Sequence, residues 1–235
     1  MLIFGPVTRD EVVAQIEKHH QNLPKRAPSE RGFKAAVPAL PTDDLSLRLP
    51  DMTRDQVLIL GKAAPPLGFS RRKLWFSILL LGDILISAQH GGLIKPLYYD
   101  DFVVTDLSTR LYLLPTGEVG FEVLFRPEDG ISTADSTKRV RAVLNDWATD
   151  GLPPETVQAV REQARAEVRR LEFDQAAYHA TIAQSTLLNL GTALDVKAYH
   201  YEISQPDVDD LNLLLKSIVE SQFATIAIAY PEISQ

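Results

Sequence analysis

A continuous apolar stretch, Leu74 to Ile86, limits most strongly what this chain can fold into. A serine, a glycine and an aspartate interrupt it, and it falls short of the roughly 20 apolar residues that a membrane-spanning helix needs. We therefore predict a buried helix that begins after Ser70 and ends near Gln89, rather than a membrane anchor.

The composition is that of an ordinary globular protein. Of the 235 residues, 45% are hydrophobic and 23% are charged, which is enough for one sizeable core or two small ones. The 31 acidic and 24 basic residues give a net charge of -7, the wrong sign for binding nucleic acid or an anionic membrane. The chain has no cysteine, which excludes disulfides and thiolate chemistry. We expect a soluble protein, and both cytoplasm and periplasm remain open.

The N-terminal segment predicts one strand and one helix. Leu2 to Val7 has the apolar pattern of a strand, and Thr8 with Glu11 forms a capping box for a helix from Arg9 to about Asn22. The N-terminus has no basic region, so we predict no secretory signal peptide. A chain that opens directly on a strand is typical of a piece of a longer protein. Residues 23–44 lack periodicity and are rich in Pro, Arg, Ala and Ser, which predicts a linker.

The rest of the chain predicts an α+β domain, with a mostly antiparallel sheet and helices packed on one face. The continuous apolar run Gln56 to Leu60 indicates a central strand covered on both faces. The other predicted strands are an extended segment after Leu45, a hairpin of Phe102–Leu114 and Gly117–Phe125, and a last strand Ala224–Ala229. The predicted helices are a short one over Leu93–Tyr99, then Ser132–Thr149, Pro153–Asp174, Gln175–Asn189, Thr192–Ile203 and Pro206–Glu220.

Several local sequences, in this order, resemble one family. They are Asp55-Gln56-Val57-Leu58-Ile59-Leu60-Gly61 with Ala64-Pro65, then Leu79 to Gly82, Gly91-Gly92-Leu93, Leu97, Asp150-Gly151-Leu152-Pro153-Pro154-Glu155 and Ser204 to Val208. This succession is similar to the C-terminal, non-zinc domain of the pitrilysin or insulinase family of zinc peptidases, which includes mitochondrial processing peptidase. The resemblance implies that residues 1–22 are the final strand and helix of a preceding homologous domain, 23–44 a linker, and 45–235 the inactive domain.

The resemblance also implies a clamshell of two halves that encloses an unfolded peptide, with zinc held by only one domain. That domain carries His-x-x-Glu-His, which places two imidazoles and a general base on one helix. The histidines of this chain do not have that spacing, so the resemblance implies that zinc and catalysis belong to a partner domain or subunit. The five histidines are His19, His20, His90, His179 and His200.

Many family members also carry an Arg and a Tyr, seven residues apart, that hold substrate near the metal. Alignment on Leu97 and Ser108 places Tyr98 at the Arg position and Thr105 at the Tyr position, so this pair is missing. Its absence favours a structural or chamber-wall role. Tyr98, Tyr99 and Thr105 are therefore candidate contacts to a peptide or a partner, although tyrosines in such a place more often simply pack at the edge of the sheet.

The other polar clusters have structural explanations. His19 and His20 fall at a helix C-terminus, where cations are favourable. His200 and Glu202 are two residues apart and point to different helix faces. The acidic residues that follow Pro206 are expected to cap a helix. The arginines and glutamates between Arg161 and Glu172 are expected to pair along one helix.

These observations support two hypotheses. The first is a non-catalytic domain of a pitrilysin-like zinc metallopeptidase, which lines part of the peptide chamber and supports a zinc-bearing partner. In that case the chain alone is no enzyme and has no catalytic, metal or cofactor residues, and zinc is expected in the partner. The second is an interaction or scaffold protein with no peptide substrate, which could form a homodimer in isolation. A zinc-dependent peptidase activity of the chain alone would contradict the first hypothesis.

Overall fold

The structure is a computed structural model that describes most of the chain. The described residues are 7–20, 44–48, 53–87, 91–188, 190, 195–221 and 223–229. The predicted first strand, apart from Val7, and the predicted linker, apart from Asp44, lie outside the described residues. Helices and strands follow the order that the sequence predicted. They are α1 (Arg9–His20), β1 (Leu45–Arg48), β2 (Gln56–Ala63), α2 (Arg71–Ile86), β3 (Val104–Leu113), β4 (Val119–Pro127), α3 (Thr133–Asp150), α4 (Pro154–Arg170), α5 (Gln175–Leu187), α6 (Val196–Glu202), α7 (Val208–Val219) and β5 (Phe223–Ala229).

The five described strands form one sheet in the order β1-β5-β2-β4-β3. The pairs β5–β2, β2–β4 and β4–β3 are antiparallel, and only β1 and β5 run parallel. The predicted α+β class with a mostly antiparallel sheet is confirmed, as are the β3–β4 hairpin and the central position of β2. The edges of the described sheet are therefore β1 and β3.

The helices cover one face of this sheet, which we call the inner face. Burial alternates along β2: Val57, Ile59, Gly61 and Ala63 are buried, and the residues that alternate with them are half-buried. The prediction that β2 is covered on both faces is therefore wrong. The opposite, outer face carries exposed Leu45 and Leu47. Leu58 and Leu60 of β2 lie on this face and are half-buried, so the apolar run is continuous in the sequence although its two faces differ in burial.

Helix α2 is the centre of the core. Ser70 caps it by accepting a hydrogen bond from the Lys73 N–H at 3.1 Å, as predicted, and the helix ends at Ile86, slightly earlier than predicted. Nine of its sixteen residues are buried, and it packs on β3, α4 and α7. No helix in the described part of the chain is both long and apolar enough to cross a bilayer.

Gly92 allows the chain to pass close to the end of α2. A Cβ atom at this position would lie 2.6 Å from the Ile84 carbonyl oxygen and 2.7 Å from the backbone of Ser87. No side chain fits at those distances, so glycine is required here. Beyond it, the predicted short helix over Leu93–Tyr99 is instead a π-helix, Lys95–Asp100, with an i to i+5 hydrogen bond from Asp101 to Pro96 at 3.0 Å. Six residues are too few for sequence periodicity to distinguish the two kinds of turn.

Basic residues at the start of α2 connect it to the C-terminal helices. Arg72 donates to the Leu190 carbonyl at 2.9 Å and to Glu202 at 3.1 Å. Lys73 pairs with Asp210 at 2.6 Å. Asp210 also completes a capping box with Asp207 at the start of α7, which confirms the predicted cap.

The basic face of α4 does not pair in the way that the sequence predicted. Arg161 donates to the Pro206 carbonyl, and Arg165 donates to the Ser204 hydroxyl at 2.9 Å, so both bind the segment before α7. Only Arg170 pairs with a glutamate of its own helix, Glu167, at 3.3 Å. Arg161 and Arg165 therefore bind acceptors from another segment instead of glutamates of their own helix, because that segment covers this face of α4.

Replacing Leu81 with Ala tests the central role of α2. Leu81 is fully buried, so we expect Leu81→Ala to lower the free energy of unfolding by about 2–5 kcal/mol. Leu213→Ala is the matched control, since Leu213 lies exposed on α7, and it should change stability by about 0.5 kcal/mol or less. Urea unfolding measures both, and equal losses would contradict this packing.

The pH dependence of stability tests the burial of Tyr199. Its ring packs edge-on against Phe76 at 4.9 Å, and burial, with a smaller effect of Asp83, raises its pKa to about 12. An unfolded tyrosine titrates near pH 10, so the neutral phenol stabilises the fold below that pH, and this contribution is lost as the pH rises towards 12. Between pH 9 and 11 we expect wild type to lose about 1 kcal/mol more stability than Tyr199→Phe. The exposed Tyr201 provides the control, because Tyr201→Phe should follow wild type; identical behaviour of both variants would contradict the burial.

Candidate functional site

Three exposed aromatic side chains lie close together in sequence between α2 and β3. Tyr98, Tyr99 and Phe102, which we call the aromatic rim, are 40%, 55% and 65% exposed. The two tyrosine rings meet edge to face with their centroids 4.9 Å apart. This exposure argues against the alternative in which the tyrosines only pack at the sheet edge. Exposed aromatic side chains of limited flexibility are typical of protein and peptide interfaces.

The aromatic rim is held on a rigid support. Leu97 is fully buried, and its carbonyl accepts a hydrogen bond from the Val103 N–H at 2.8 Å, which closes the turn. Asp101 pairs with Arg139 of α3 at 2.6 Å. The rim is therefore fixed both to the core and to a neighbouring helix, and a partner would meet it largely preformed.

Phe102 has an unusual backbone conformation. Its φ is 53°, and it is the one residue other than glycine with a positive φ among those described. A bulky side chain in the left-handed region costs of order 1–3 kcal/mol, and this one recovers little of that by burial. Neither glycine nor asparagine marks this turn, so nothing in the sequence indicates the positive φ of Phe102.

Thr105 lies next to this turn on the edge strand β3. The register shifts between Val104 and Asp106, so Thr105 is the extra residue of a β-bulge. The π-helix that carries Tyr98 packs against β3, but no hydrogen bond joins Tyr98 to Thr105 among the described residues. Tyr98 and Thr105, the two positions that the sequence analysis aligned with the family's Arg and Tyr, thus lie on adjoining elements.

The histidines that the structure describes do not form a metal site. Within the described residues, no three His, Asp or Glu side chains lie close enough together to hold a metal ion. Glu202, two residues after His200, pairs instead with Arg72. The side chain of His20 and the whole of His90 fall outside what the structure describes.

Substitution of Phe102 tests whether the rim stores backbone strain. We expect Phe102→Gly to leave the free energy of unfolding unchanged or to raise it by up to about 1 kcal/mol, because glycine adopts a positive φ freely. Tyr99→Gly is the control at a neighbouring exposed aromatic in the π-helix, and it should destabilise by about 1 kcal/mol. Thermal and urea unfolding compare the two, and equal losses would mean that Phe102 is not strained.

Comparisons with known proteins identify the fold and the family. The family model described as the Peptidase M16 inactive domain matches residues 1–164. A protease from Helicobacter pylori superposes with a TM-score of 0.66 at 16% identity, over 95% of this chain and 53% of its own. The periplasmic protease PqqL from Escherichia coli gives a TM-score of 0.66 at 15% identity, over 97% of this chain and 25% of its own. A peptidase M16 inactive domain from Pseudomonas fluorescens gives 0.57 at 13% identity, over 82% of this chain and 44% of its own.

No curated protein matches the sequence at a significant level. At these identities the structural likeness shows the fold alone, and the chain spans about half the length of the Helicobacter pylori protease. The family model matches well over half of the 235 residues. The chain therefore belongs to the Peptidase M16 inactive domain family, the non-catalytic part of the pitrilysin or insulinase peptidases.

Proposed function

We propose that this chain is a non-catalytic domain of a pitrilysin-like zinc metallopeptidase. In this proposal it forms part of the wall that encloses a peptide and supports a zinc-bearing partner domain or subunit. One observation carries the proposal. Almost all of this chain, which belongs to the inactive-domain family, superposes on a protease, but it accounts for only about half of that protease. The zinc and the His-x-x-Glu-His general base would then belong to the remaining half.

The proposed domain division assigns residues 1–22 to the preceding domain, 23–44 to a linker and 45–235 to the inactive domain. Helix α1 supports it, because Val13 and Ile16 on this short helix are exposed. Apolar side chains left uncovered on a well-capped helix favour a further surface that covers them. A preceding homologous domain would provide such a surface.

The aromatic rim is the proposed contact surface. Tyr98, Tyr99 and Thr105 would contact either the enclosed peptide or the zinc-bearing partner. Tyr98 stands where many relatives have the arginine that grips substrate, so the contact here would be apolar and hydrogen-bonding rather than ionic. The ion pair of Asp101 with Arg139 and the buried Leu97 hold this surface in place.

A scaffold without a peptide substrate is the second candidate. The missing Arg and Tyr pair favours it, and so does the exposed apolar outer face of the sheet, where Leu45, Leu47 and Leu124 are uncovered. Exposed apolar surface in a lone domain promotes self-association. A homodimer that is metal-free and inert would fit this alternative.

Capture from the source organism distinguishes the two candidates. A tagged chain should recover a polypeptide with His-x-x-Glu-His, and the complex should cleave an unstructured peptide in a zinc-dependent way that is lost on separation. Tyr99→Ser should weaken recovery or cleavage by about tenfold if the rim is the contact surface. Tyr201→Ser is the matched control, because Tyr201 is also exposed but lies on α6, and it should behave as wild type. Recovery of the chain alone, inert and without metal, would contradict the peptidase assembly and favour the scaffold.

A further inference from the structure

A cavity lies at the opposite edge of the sheet from the aromatic rim. Its volume is about 600 Å³, and it opens between helix α3 and the strands β1 and β5. Several of the side chains that line it are small, among them Ser46, Ala227 and Ala142. The volume is that of a ligand-binding site rather than a packing defect. Strand β3, beside the rim, is four strands away from β1, or roughly 19 Å at ordinary strand spacing.

The side chains at this cavity are more basic than the chain as a whole. Lys138 and Arg141 reach it from the same face of α3, whereas the net charge of the chain is -7. Arg141 donates to the Thr225 hydroxyl and lies 3.7 Å from Asp44, the one acidic side chain lining the cavity. Asp44 is itself engaged, since it accepts the Thr225 N–H at 3.2 Å.

Both cations keep the capacity to bind an anion. Lys138 is exposed, and it forms no ion pair with any residue that the structure describes. The Arg141 guanidinium is held by the Thr225 hydroxyl and by Asp44, and its side chain is 36% exposed, so part of it faces the solvent beside the cavity. Carboxylates are the groups that such a pair of cationic side chains recognises in a polypeptide.

Strand β1 offers the second half of a binding site. It pairs with β5 on one side only and is the outermost described strand. Side chains of a strand alternate between its faces, so Ser46 lies on the inner face beside the cavity, while Leu45 and Leu47, 44% and 38% exposed, lie on the outer face, although Leu45 also borders the cavity. A strand added beside β1 would therefore present every second side chain to Lys138 and Arg141, and the others to the two leucines.

We propose that the edge of β1 binds an extended peptide segment in which acidic and apolar residues alternate. Main-chain hydrogen bonds to β1 would supply affinity, the cavity would accept the carboxylates, and Leu45 and Leu47 would contact the apolar residues. This site goes beyond the proposed function, because it needs neither a zinc-bearing partner nor a peptide chamber.

Binding of a fluorescent peptide to the full-length chain tests the proposal. The probe is a peptide of roughly seven alternating Glu and Val residues, the length of an ordinary strand, and its comparator replaces Glu with Lys. Fluorescence anisotropy should show binding of the Glu peptide alone, and the affinity should fall as salt is raised. Equal binding of both peptides, or no binding of the Glu peptide, would overturn the proposal.

Two pairs of variants locate the site. Lys138→Glu should weaken binding by about tenfold or more, whereas Lys197→Glu makes the same charge change on the exposed surface of α6 and should change it by less than about twofold. On the outer face, Leu47→Lys should weaken binding, and Leu213→Lys on α7 should not. Circular dichroism confirms that each variant is folded. Equal effects within either pair would overturn the assignment to β1.

Methylation of the peptide backbone separates strand addition from anion binding alone. In an added strand, the N–H groups of alternate residues face β1 and the others face solvent. N-methylation of one alternating set should therefore abolish binding, and that of the other set should spare it. If neither set matters, or if inorganic phosphate displaces the peptide completely, the cavity is an anion site and the proposed strand addition is wrong.

Discussion

The burial of α2 is the constraint on which the rest of this fold depends. Nine of its sixteen side chains are buried, so the helix needs apolar cover on most of its circumference. The inner face of the sheet provides that cover on one side, and α4 and α7 provide it on the others. The polar start of the helix fixes the C-terminal helices through Arg72 and Lys73, which bind Glu202 and Asp210.

This arrangement leaves the surfaces of the domain open for function. Because the described helices that pack on the sheet cover its inner face, the outer face and both strand edges are not covered by any helix or strand that the structure describes. One edge adjoins the aromatic rim, where Phe102 is held in a strained conformation. The other adjoins a basic cavity beside β1. These uncovered surfaces are where we propose that the domain meets a peptide or a partner.

Much of the architecture could be predicted from the sequence, for identifiable reasons. Helix α2 follows from an apolar run too short for a membrane, the β3–β4 hairpin from the turn at Gly117, and the start of α7 from its acidic cap. Each of these elements is determined by residues within or next to it in the sequence. The family resemblance was correct because it rested on the order of the motifs, which the model of the inactive domain also recognises.

Other features depend on contacts that a sequence does not display. The sequence predicted that both faces of β2 are buried, because apolar residues occupy both. On the outer face these residues are only half-buried and lie outside the core. Arg161 and Arg165 bind the segment before α7, and their helical spacing gave no indication of those acceptors. The positive φ of Phe102 and the cavity beside β1 arise from tertiary packing, so no local pattern marks them.

The measurement that tests the central claim most directly is the zinc content of the purified chain and of the complex captured with it. Equilibrium dialysis against zinc, followed by elemental analysis, gives the stoichiometry of each. We expect no tightly bound zinc in the chain alone and one zinc per complex, together with peptide cleavage by the complex only. Stoichiometric, tight zinc in the isolated chain with peptidase activity would show that the chain carries its own catalytic site and would contradict the account.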